Sequence, residues 1–76
     1  MRYLFIGQYR DMRQWAREHK IPEKFMIHGS KGSYGLHGIN CYVEIVNQAR
    51  RSITSQEADA IQMAQRLQAL YRHEKP

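Results

Sequence analysis

The chain has 76 residues, one cysteine (Cys41), and twelve Lys and Arg against seven Asp and Glu, a formal charge of +5. That length holds one domain, residues 1–76, with one core that buries roughly 60–65% of the unfolded surface, and a lone cysteine excludes an internal disulfide. No stretch reaches the ~20 apolar residues of a membrane helix or the ~7–15 of a signal-peptide core, so the expected setting is the cytoplasm, where a single thiol stays reduced.

Tyr3-Leu4-Phe5-Ile6 is a short apolar run of β-formers closed by Gly7, and it predicts a buried strand. From Asp11 the period changes. Met12, Trp15, Ala16 and His19 fall on one face of a helix, with Arg10, Arg13, Gln14, Arg17 and Glu18 on the rest. Pro22 is expected to stop that helix. Residues 24–28 predict a second strand, followed by a loop with glycine at every third position: Gly29, Gly32, Gly35 and Gly38.

Residues 40–46 predict a third strand whose alternation sets Cys41, Val43 and Ile45 against Tyr42, Glu44 and Val46. A polar turn carrying Arg50 and Arg51 leads to Thr54-Ser55-Gln56-Glu57, a capping box. Ala60, Ile61, Met63, Ala64, Leu67, Leu70 and Tyr71 then trace an apolar helical face, over about residues 55–72.

These elements predict an α/β fold: a small three-stranded, mostly parallel sheet with two main helices in a Rossmann-like minimal layout, with a right-handed crossover between the first two strands. A parallel crossover needs about a dozen residues, and the glycine loop is close to that minimum. A helical turn near Tyr34 would make the third strand parallel; without one it would pair antiparallel.

The glycine loop could expose backbone N–H groups to phosphate, but it has neither a G-x-x-x-x-G-K-[ST] nor a G-x-G-x-x-G string. The competing reading is a tight connection that needs positive φ. Gly29-Ser30-Lys31-Gly32 matches the G-x-x-G of KH domains, yet a KH loop joins two helices and a strand precedes this one. Four histidines and Cys41 lack the closely spaced ligand pairs of a zinc site. A Cys41–His37 nucleophile pair is set against a cysteine buried in a strand. No catalytic residue, metal or cofactor is therefore expected. The basic excess lies in the first two thirds of the chain, and Arg10, Arg13, Arg17, Lys31, Arg50 and Arg51 are the candidate contacts to nucleic acid or phosphate.

Trp15-Ala16-Arg17-Glu18-His19, with Tyr34-Gly35-Leu36-His37-Gly38-Ile39 leading into a strand, resembles small uncharacterised proteins of actinobacteriophages. These share a strand, a helix ending A-R-E-H and a G-L-x-G step into another strand. Their layout is similar to a truncated P-loop ATPase sheet, in which a G-L step precedes the Walker B strand. Here the Walker A loop is absent, and Ile45-Val46-Asn47 stands where two acids would be expected.

The resemblance spans roughly residues 3–46. It implies a phage accessory protein acting by binding inside a bacterial host, with nucleotide chemistry lost, and it assigns no catalytic residue. The leading expectation is thus a non-enzymatic protein that binds a host protein in the bacterial cytoplasm. A basic nucleic-acid-binding protein and a degenerate nucleotide binder using loop 29–38 are the alternatives. Because three strands and two helices leave apolar surface open, a homodimer through Tyr42, Val46, Met63 and Leu70 is expected, against a monomer whose glycine loop folds over the open face.

Overall fold

The computed structural model describes residues 1–75. Strand β1, Arg2–Ile6, is central, flanked by β2, Met26–His28, and β3, Val43–Asn47, in the order β2-β1-β3. Both pairings are parallel, with Leu4 beside Ile27 on one side and beside Ile45 on the other. The parallel alternative for the third strand is the one the chain adopts. Residues 29–36 coil into a 3₁₀ segment, Gly29–Leu36, made of two short turns joined by a kink at Gly32 (φ +61°), and this gives the second crossover its length.

The chain steps from β1 outward to β2 through helix α1, Tyr9–Glu18, then back across β1 to β3. Two right-handed crossovers that travel in opposite directions must lie on opposite faces of the sheet. The two apolar clusters obey this. Phe5, Met12, Ala16 and Met26 pack on the α1 face, with Tyr3, Trp15 and Val46 at its margin. Leu4, Ile6, Ile27, Leu36, Val43, Ala60, Ala64 and Leu67 pack on the other face, under helix α2, Ser55–Leu70. Alternation along β1 sends odd residues to one cluster and even residues to the other.

Glycine at position 29 follows from that packing. A Cβ built there would lie 2.5 Å from Ile6 Cδ1 and 3.2 Å from the Phe5 carbonyl oxygen, so the 3₁₀ segment can press against the sheet only without a side chain. The start of the glycine loop is buried under α2 rather than held open to solvent.

Several boundaries differ from the sequence expectation. Strand β2 begins at Met26 rather than at residue 24, because Glu23–Phe25 form a 3₁₀ turn in which Phe25 N–H donates to the Pro22 carbonyl at 3.0 Å. Helix α1 begins at Tyr9, and it ends before Pro22 acts. Lys20 takes φ +57°, Ile21 N–H donates to the Ala16 carbonyl at 2.8 Å, and Lys20 N–H donates to that of Arg17 at 3.2 Å. This is a Schellman closure, which satisfies the last carbonyls three residues earlier than a proline stop. Strand β3 begins at Val43 rather than at residue 40, which leaves Cys41 half-buried ahead of the strand.

The expected dimer surface is not one surface. Tyr42 is buried, 5% exposed, while Val46 lies at the α1-face cluster and Met63 at the opposite one. Leu70 is 68% exposed on its own. The outer edge of β3 is partly closed as well: Gln68 Nε2 donates to the Val43 carbonyl at 2.9 Å, and Tyr42 N–H donates to Glu74 Oε1 at 3.2 Å. No described helix is long and apolar enough to cross a membrane.

Candidate partner-binding groove

Helix α1 packs on β2 and on Phe5 of β1, so its face of the sheet is covered on one side only. On β3, the half-buried Glu44 and Val46 lie on that same face by alternation. Between α1 and the chain leaving β3 runs a groove of about 420 Å³, with Asp11, Gln14, Trp15 and Glu18 on the helix wall and Gln48, Ala49 and Arg50 opposite. A smaller depression of about 270 Å³ adjoins it, reaching Gly7, Gln8 and Arg51.

Topology places the groove. The strand order reverses between β1 and β3, and in open parallel sheets the crevice at the carboxyl ends of the strands beside that reversal is where ligands bind. Gln48 N–H donates to the Ile6 carbonyl at 2.8 Å, so the far wall starts directly at the end of β1. Trp15 anchors the near wall. Its ring lies 5.6 Å from Tyr3 and 6.5 Å from Phe5, and His19 stacks on it at 4.1 Å while its Nδ1–H donates to the Trp15 carbonyl.

The far wall is held from behind. Arg51 donates to both carboxylate oxygens of Glu57, from Nη1 at 2.8 Å and from Nη2 at 2.9 Å. Glu57 is only 1% exposed and also closes the capping box: its Oε1 accepts from Thr54 N–H at 3.0 Å, and its own N–H donates to Thr54 Oγ1 at 3.1 Å. The Arg51 guanidinium outweighs burial, and with Thr54 it holds the Glu57 carboxyl down to about 2.

The six expected basic contacts do not gather into one patch. Arg10 and Arg17 lie on the exposed back of α1 and share a shallow surface with Asp11 and Glu18. Arg13 is engaged by Glu23 at 2.8 Å and Arg51 by Glu57. Lys31 sits in the 3₁₀ segment on the α2 side of the sheet. Arg50 alone of the six lies in the wall of the main groove.

Asp11, Gln14, Glu18, Gln48 and Ala49 are not marked as site residues by the sequence, and Trp15, whose spacing puts it on the apolar face of α1, packs against that core and also lines the groove. The usable signal was the shortage of helices: one helix cannot cover three strands. No three His, Cys, Asp or Glu side chains come together as a metal site among the described residues. No protein-family model, curated protein or solved structure matches the chain.

Proposed function

We propose that this is a small non-enzymatic accessory protein that binds a host protein in the bacterial cytoplasm, and that the partner docks in the groove between α1 and the exit of β3. The observation that carries this reading is the half-covered sheet face, where a second helix of the partner would complete the layer that α1 begins. The two walls are of opposite sign: Asp11 and Glu18 on the helix stand opposite Arg50, and each wall adds one amide, Gln14 and Gln48. A polypeptide, which offers donors, acceptors and both charges, suits such walls. The phage setting rests on the resemblance of residues 15–19 and 34–39.

A nucleic-acid partner is less well supported, because the acids of α1 offset its arginines and Lys31 lies on the other side of the sheet. A nucleotide held by loop 29–38 is less well supported too, since Gly29 is packed against Ile6.

Photo-crosslinkers at Gln14 and Gln48, with Gln62 on α2 as control, test the site in a host lysate. A protein captured from the two groove positions and not from Gln62 is the expected result. With that partner purified, Gln48→Trp should weaken binding at least tenfold, about 1.4 kcal/mol. Equal capture from Gln62, or capture abolished by nuclease, would overturn the reading.

A further inference from the structure

At the carboxyl ends of β1 and β2, outside the groove, His28 joins three groups. Its Nε2 lies 2.7 Å from the Gly7 carbonyl oxygen and its Nδ1 lies 2.7 Å from Ser30 Oγ, while Ser30 N–H donates to Nδ1 at 3.2 Å. The partners settle the tautomer. A carbonyl oxygen can only accept, so Nε2 carries the proton. A backbone N–H can only donate, so Nδ1 is the bare acceptor. The remaining hydrogen bond must then run from the Ser30 hydroxyl to Nδ1. Ser30 is exposed, His28 is half-buried, and the Tyr9 ring lies 5.7 Å from the imidazole.

We propose that Ser30 is an activated nucleophile, with His28 as its general base and the Gly7 carbonyl holding the imidazole in register, and that it accepts a group from an ester-type electrophile. The arrangement has the logic of a hydrolytic triad, with a main-chain carbonyl where a carboxylate orients the histidine. With a fluorophosphonate the step balances simply. Ser30 Oγ attacks phosphorus, the O–P bond forms, the P–F bond breaks and fluoride leaves. The hydroxyl proton passes to His28 Nδ1, and the resulting imidazolium keeps its Nε2–H on Gly7. The reaction is a single covalent attachment, not turnover, and is independent of groove binding.

The test is labelling of the purified protein with a fluorophosphonate, followed by intact mass and peptide mapping. One label on Ser30 is expected, forming about 100-fold faster than on the exposed Ser52, as a positioned general base provides. His28→Asn keeps an acceptor for Ser30 N–H but offers no base, so its Ser30 rate should fall to that of Ser52. If that variant does not fold, the pH profile of the wild-type rate decides: it must follow one ionisation that removes the neutral imidazole. Labelling of Ser30 no faster than Ser52, a rate unchanged in His28→Asn, or a profile without that ionisation would overturn the proposal.

Discussion

Two backbone positions of unusual φ should respond to substitution in opposite directions. Lys20 closes α1 from the left-handed region, where a side chain costs about 1 kcal/mol and where glycine is the usual occupant. Lys20→Gly should therefore raise stability by roughly 0.5–1 kcal/mol, read as a higher denaturant midpoint at unchanged slope. Gly7 has φ +150°, and a Cβ there would lie 2.9 Å from Phe5 Cε1. Gly7→Ala should cost roughly 1–3 kcal/mol and displace the carbonyl that accepts from His28. Neither site was readable beforehand. Lys20 carries no local signature of a left-handed cap, and Gly7 read only as the end of a strand.

Glu57 couples the fold to solution pH. Its carboxyl is ordinary in the unfolded chain and depressed to about 2 when folded. A depressed carboxyl contributes stability above its unfolded pKa and loses it as protons bind the folded state. The loss should set in a little above pH 4.5, run as pH falls through about 2, and be complete only below that. It should amount to at most about 3 kcal/mol, less the screening of the half-exposed Arg51. Thermal melts across that window should show a shallower acid limb in Glu57→Gln than in wild type.

Among the elements, α2 was the most legible. Thr54 and Glu57 announced its start, and Ala60, Ala64 and Leu67 lie in the core as their spacing required. Leu67→Ala should cost about 2–5 kcal/mol, comparable with the whole stability of so small a core. A melting temperature within a degree or two of wild type would place Leu67 outside the core. The apolar face was drawn too broadly, however. Leu70 has helical spacing but is exposed, and in the same turn it is Tyr71 that packs against the core.

The glycine loop was the least legible element. Glycine is demanded equally by phosphate contact and by a tight connection that needs positive φ; Gly32 and Gly38 do take φ of +61° and +82°, and Gly29 is packed against Ile6. The groove was opaque for a related reason. Its walls come from α1 and from the turn after β3, which are distant in sequence, and Gln14 and Gln48 carry no chemical label of their own.

For the whole molecule, the Cα radius of gyration is 11.5 Å, close to the value of about 11 Å for a compact chain of this length. The slab measures 29 × 29 × 18 Å. Its thinness reflects a sheet backed on one face by α2 together with the 3₁₀ segment, and on the other only partly by α1. Parallel topology was foreseeable from the alternation of elements. The spread of charge was not, since Arg13 and Arg51 look free in the sequence and are spoken for in the fold. Sustained ATP hydrolysis by the purified protein is not expected, and turnover that vanished in Lys31→Ala would return the loop to consideration.

The Arg51–Glu57 contact has a bearing on how the groove would receive the proposed partner. It ties the turn after β3 to the first turn of α2, so the adjacent Arg50 is presented from a fixed anchor rather than from a loose loop. Such preorganisation reduces the entropy that must be surrendered on association. Arg51→Ala should therefore weaken partner binding although Arg51 lies outside the main groove, and calorimetry should locate the loss in a less favourable entropy. The helix cap would thus also be the stiffener of a recognition surface on the opposite side of the turn.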